Sequence, residues 1–147
     1  MEAFEQIDIL LVEDNPLDAE LTMASLKDER LANSVTWLKD GEQALDYVFR
    51  RGSYADRTDP GPRLILLDLK MPRVDGIEVL KAIRADPRTK RIPVVMMTSS
   101  QEETDVARSY DVGVNSYIVK PVDFGALTDV TRQVGFYWLV INQVPAT

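Results

Sequence analysis

The chain has 147 residues, 45% of them hydrophobic and 28% charged, with a formal net charge of −7, no cysteine and no histidine. That length suits one domain with its own core, while the acidic balance argues against sequence-independent nucleic-acid binding, which needs Lys and Arg to displace counterions. The missing residues exclude disulfides, thiolate chemistry and imidazole catalysis or metal ligation.

Residues 7–12 form a short apolar run without helical period, predicted as strand β1, and they end in Glu13-Asp14-Asn15-Pro16. Pro16 suits a first helical turn, and Leu17, Leu21, Ala24 and Leu26 among interleaved acids predict helix α1 to about residue 29. Residues 34–38, SVTWL, are β-branched in character and predict β2. Asp40-Gly41 then turns the chain into α2, with Ala44, Leu45, Val48 and Phe49 on one face. Residues 51–62 carry two glycines and two prolines among charges and read as a loop. Leu64 to Leu67 is apolar without alternation, as in a strand buried on both faces, and predicts β3 with Asp68 at its C-terminal end.

Met71-Pro72 stops that strand and Asp75-Gly76 leads into α3, whose Ile77, Val79, Leu80 and Ile83 face inward until Asp86-Pro87 ends it. After Ile92-Pro93, the run VVMM predicts β4, closing in Thr98-Ser99-Ser100. Residues 102–111 predict a polar α4 with Val106 and Ala107 inward and Val112-Gly113 at its end. SYIV, 116–119, predicts β5, followed by Lys120-Pro121. A last helix, α5, begins near Asp123 and runs into the apolar, aromatic residues 134–141. Strands alternating with helices give an α/β fold, a doubly wound parallel sheet of five strands with helices on both faces.

In such a sheet the C-terminal ends of all strands lie on one edge, where ligands bind. Asp68 alone is equally a turn-capping acid, but the other ends decide between the two readings. Glu13 and Asp14 follow β1, Thr98 follows β4 and Lys120 follows β5. Three carboxylates brought together repel unless a cation joins them, and an all-oxygen set favours Mg2+ over zinc. A lysine and a hydroxyl beside them are what phosphoryl transfer requires, because its charge spreads over oxygens that need positioned donors.

With VEDN, LLDLKMPRVDG, MMTSS and YIVKP in place, the chain resembles a response-regulator receiver domain of two-component signalling across about residues 7–135. The resemblance implies a flavodoxin-like sheet in strand order 2-1-3-4-5 and a phosphoacceptor at Asp68. It implies direct Mg2+ ligation by Asp14, Asp68 and the Lys70 backbone carbonyl, with Glu13 acting through a water. Glu13 stands where such domains most often carry Asp, and the longer acid still reaches a hydrated ion. Thr98 and Tyr117 match a switch pair, with Thr98 drawn toward the phosphoryl group and Tyr117 turning inward behind it. Lys120 matches the lysine that contacts the phosphoryl group.

The resemblance further implies a phosphoacceptor rather than an enzyme with a substrate of its own, assisting its own phosphorylation and dephosphorylation, and a sensor histidine kinase as partner. The long α2–β3 loop and the tail GFYWLVINQVP look like the small stand-alone regulators of phytochrome-type kinases, bacteriophytochromes included. A receiver domain at 1–135 and an extension at 136–147 without an output domain are expected, in the cytoplasm, with no nucleic acid or membrane as partner. In the tail, Phe136, Leu139 and Val140 are expected to fold back on the sheet, leaving Tyr137, Trp138 and Ile141 as the interface of a homodimer. Two rival readings are a receiver-like scaffold that is never phosphorylated and an aspartate-nucleophile phosphatase of the haloacid dehalogenase type. The latter needs a second Asp two residues after the nucleophile, where this chain has Lys70. A flavin-binding relative is disfavoured by the acidic loop after β1, which would repel a phosphate.

Overall fold

The computed structural model describes residues 8–28, 34–59 and 61–143. Five strands, β1 (Asp8–Val12), β2 (Ser34–Leu38), β3 (Leu64–Leu67), β4 (Val94–Thr98) and β5 (Ser116–Val119), alternate with five helices. These are α1 (Pro16–Asp28), α2 (Gly41–Val48), α3 (Gly76–Ala85), α4 (Glu103–Val112) and α5 (Phe124–Phe136). Ile7 and Glu29, expected at the ends of β1 and α1, lie outside the described residues.

All strand pairs are parallel and the order is β2-β1-β3-β4-β5, as the resemblance implied. Alternation within the strands splits the core in two. Leu10, Val12, Ile65, Leu67, Val94 and Met96 point to the face covered by α2 and α3. Ile9, Leu11, Leu64, Leu66, Val95 and Met97 point to the face covered by α1 and α5. Being buried on both sides is why the central strands carry no polar alternation. The turn acids serve as helix caps: Asp40 accepts from Gln43 N, Asp75 from Glu78 N, and Asp123 from Ala126 N.

Three expected faces are corrected. In α1 the buried residues are Ala19, Thr22, Ser25 and Leu26, with Leu21 half-buried, while Leu17 and Ala24 face solvent. In α4 the inward residues are Asp105 and Ser109, with Val106 half-buried and Ala107 exposed. Polar groups can be buried there because they are paired: Ser109 Oγ donates to the Asp105 carbonyl and Ser100 Oγ to the Asp105 carboxylate. In the tail, Leu127, Thr131 and Val134 continue at four- and three-residue spacing to Trp138, so Trp138 packs on the core beside Leu139. Phe136 and Val140 are exposed together with Tyr137 and Ile141. Residues Tyr137–Ile141 form a π-helical turn closed by Asn142 N donating to the Tyr137 carbonyl. The 51–62 loop holds a 3-10 turn, Gly52–Tyr54, and Arg57 lies 4.0 Å over the Tyr47 ring.

Candidate functional site

Register places the expected residues on one edge. Val12 pairs with Leu67, and Thr98 with Val119, so Glu13, Asp68, Thr98 and Lys120 all emerge at the C-terminal ends of neighbouring strands. The backbone is tied at each point: Glu13 N donates to the Leu38 carbonyl, Asp68 N to Val12 and Lys120 N to Thr98. Asp68 is followed by a turn in which Gly76 N donates to the Leu69 carbonyl at 2.7 Å. That approach requires glycine, since a Cβ at position 76 would lie 2.3 Å from the Asp68 carbonyl oxygen.

The buried Lys120 ammonium is the hub. Its Nζ lies 2.6 Å from Glu13 Oε1, 2.9 Å from Asp18 Oδ2 and 3.8 Å from Asp68 Oδ2. Glu13 is fixed at every polar atom. Asn15 N donates to its Oε2, and the Trp37 indole donates to its carbonyl. Oxygens of Glu13, Asp14 and Asp68 come within 4.8 Å of one another, with Asp14 exposed and the other two buried. Burial and the Asp68 charge push the Glu13 carboxyl up to about 8, against the pull of Lys120. Burial raises Asp68 as well, outweighing the Lys120 charge. Burial disfavours the Lys120 charge too, but the bond to Glu13 and the Asp68 and Asp18 carboxylates outweigh it, so its pKa is raised.

Three carboxylates, Glu13, Asp18 and Asp68, thus face one ammonium, and Asp14 adds a fourth to the cluster beside Glu13 and Asp68. The surplus negative charge and the all-oxygen donor set fit a hard divalent cation, which would favour the ionised form of the two acids that burial, and to a lesser degree neighbouring carboxylates, hold above their usual range.

The response regulator receiver domain family matches residues 9–132, most of the chain. The chain is a receiver domain. The probable methanogenesis regulatory protein FilR2 of Methanothrix harundinacea is 41% identical over 145 residues, covering 99% of this chain and 92% of that one. Response regulator Rcp1 of Synechocystis is 39% identical over 138 residues, 94% of this chain and 92% of its own. The crystal structure of its Mn(2+)-bound form superposes with a TM-score of 0.89, covering 95% and 99% of the two chains. The phosphorylated cyanobacterial phytochrome response regulator RcpA gives a TM-score of 0.91 at 38% identity, covering 96% and 99%.

Of the two residues expected to act as a switch, Tyr117 is half-buried against the core, and its hydroxyl donates to the Ser100 carbonyl at 3.0 Å. Thr98 is buried and its Oγ1 accepts from Ser100 N at 3.3 Å. Ser100 Oγ donates to Asp105, and the exposed Lys70 side chain crosses the mouth of the crevice to Asp105 at 3.7 Å and Glu102 at 4.0 Å. A receiver-type reading of strand ends alone misses Asp18, Trp37 and Asp105.

Proposed function

We propose that this receiver is a phosphoacceptor switch in which Asp68 takes a phosphoryl group from a phosphohistidine of a sensor kinase, in a Mg2+-dependent step, and thereby changes its protein partners. The observation that carries the reading is the buried Asp68 carboxylate at the end of β3, with Lys120 Nζ 3.8 Å away and two further carboxylates beside it. An Asp68 oxygen attacks phosphorus, the P–N bond to the kinase imidazole breaks, and the imidazole leaves with the electron pair and takes up a proton. These 147 residues include no histidine, so the donor imidazole lies outside them. Asp14, Asp68 and the Lys70 carbonyl would hold Mg2+ directly, and Glu13 through a water. The bound ion supplies positive charge shared between the carboxylates and the phosphoryl oxygens. Lys120 and the Thr98 hydroxyl offer donors to those oxygens, and the same groups assist hydrolysis of the aspartyl phosphate by water.

The likeness to RcpA supports a phytochrome-type kinase as partner, bacteriophytochromes included. The partner kinase and this receiver meet in the cytoplasm; among the described residues no helix is long and apolar enough to cross a membrane. The exposed residues around Tyr137 and Ile141 support a homodimer through the tail.

Incubation with acetyl phosphate and Mg2+ should yield one acyl phosphate, detected by intact mass. It should vanish with EDTA and in Asp68→Asn, whose melting should stay within a few degrees of the parent. Labelling of the Asn variant at another residue, or labelling in EDTA, would overturn the assignment. No labelling of the parent chain would favour the unphosphorylated scaffold.

A further inference from the structure

Asp18 lies in the first turn of α1, where an acid ordinarily does no more than complement the positive end of the helix. Its backbone N–H is already engaged by the capping Asn15 side chain. Its carboxylate reaches across to the end of β5, 102 positions away in sequence, and meets Lys120 Nζ at 2.9 Å. The Lys120 side chain is only 9% exposed and that of Asp18 22%, so the pair is shielded from water, unlike a surface bridge.

An ammonium has three N–H donors. Glu13 and Asp18 take two at hydrogen-bond distance, and the third is left near Asp68, whose oxygen at 3.8 Å is too far to accept it. A phosphoryl group built on Asp68 would add acceptor oxygens beyond that carboxylate, where an unengaged ammonium donor could meet them.

We infer that Asp18 is a positioning residue for Lys120: with Glu13 it holds the ammonium off the nucleophile and keeps one donor in reserve for the phosphoryl oxygens. The inference rests on Asp68 being the phosphoacceptor. Without Asp18, the carboxyl groups left beside Lys120 are those of Glu13 and Asp68. The ammonium then closes onto Asp68 and ties up the oxygen that must attack phosphorus.

Two measurements test this. In metal-free protein, the side-chain 15N signal of Lys120 should shift in Asp18→Ala and return toward the parent position in Asp18→Asn, whose amide oxygen still accepts. An unmoved signal would overturn the inference, whether or not the chain is phosphorylated. At saturating Mg2+, acetyl phosphate should label Asp18→Ala about tenfold more slowly than the parent, one decade of rate. Lys120→Ala and the double variant should then label at the same rate as each other, because Asp18 acts only through Lys120. A parent-like rate in Asp18→Ala, or an equal slowing by Asp18→Ala with and without Lys120, would show a role confined to the helix end. Labelling of the parent that survives Asp68→Asn would instead sink the phosphoacceptor reading while leaving the 15N result to stand on its own.

Discussion

Burial and the Asp68 charge lift the Glu13 carboxyl from 4.5 to about 8, so between those values the folded chain holds a proton that the unfolded chain has released. A raised folded-state pKa means that the stabilising contribution is fully present below 4.5 and is lost as pH rises through about 8. A bound divalent cation favours the ionised acids and should offset that loss. Melting in EDTA across this range should therefore show a fall with rising pH that Glu13→Gln flattens and Mg2+ diminishes; an unaltered slope in Glu13→Gln would place the proton elsewhere. Thr98 offers a second residue-level test. Its hydroxyl bonds Ser100 N, and the Ser100 carbonyl holds Tyr117, so a phosphoryl group that draws Thr98 away disturbs the loop on which Tyr117 rests. Thr98→Ala should still form the acyl phosphate, while the gain in partner affinity on phosphorylation, measured by calorimetry, shrinks; equal gains in both proteins would count against the coupling. Asp14, Asp68, Thr98 and Lys120 were legible in the sequence because each stands at the last residue of a strand or within two residues of it, and strand ends of a parallel sheet must share an edge. Asp18 and Trp37 were not, since nothing local indicates that a helix acid meets a lysine 102 positions on, or an indole a carbonyl 24 positions back.

At the scale of elements, the junction of β3 and α3 decides where the nucleophile sits. A Cβ on Gly76 would meet the Asp68 carbonyl at 2.3 Å and Leu69 Cα at 2.9 Å, both backbone atoms that cannot swing aside. Gly76→Ala should destabilise by about 2 kcal/mol, as overpacking commonly does, and should also slow acyl-phosphate formation, because relief requires moving Asp68. Gly113→Ala provides the comparison: at φ 113° beyond α4 it is strained as well, yet distant from Asp68. Urea melts and labelling rates of the two variants separate the effects. A Gly76→Ala protein that labels at the parent rate would show that the turn tolerates displacement. The central strands β1, β3 and β4 and helix α3 were readable from their apolar runs, since each is buried by side chains that hydrophobicity alone identifies. The inner faces of α1 and α4 were not. There Thr22, Asp105 and Ser109 are buried, and apolar periodicity passes over groups whose burial depends on hydrogen bonds or close packing.

For the molecule as a whole, the proposed homodimer rests on the tail. Phe136, Tyr137, Val140 and Ile141 are 50%, 46%, 58% and 61% exposed, four large side chains on one short stretch. Clustered exposed aromatics and aliphatics are the composition of an interface core, and a two-fold pairing buries such a patch on both copies at once. Opposing this is charge: each copy carries −7, so two copies repel until salt screens them over a Debye length of about 8 Å at physiological ionic strength. Association should therefore tighten as sodium chloride is raised, whereas a dimer held by exposed ion pairs would loosen. Deleting the tail after Gly135 is a poor test, because it also strips Trp138 and Leu139 from the core. Val140→Asp combined with Ile141→Asp leaves those contacts in place and puts charge on the outward face. Sedimentation at micromolar concentration should find the parent dimeric and the double variant monomeric with an unchanged melt. A monomeric parent, or a double variant that stays dimeric, would remove the tail from the interface.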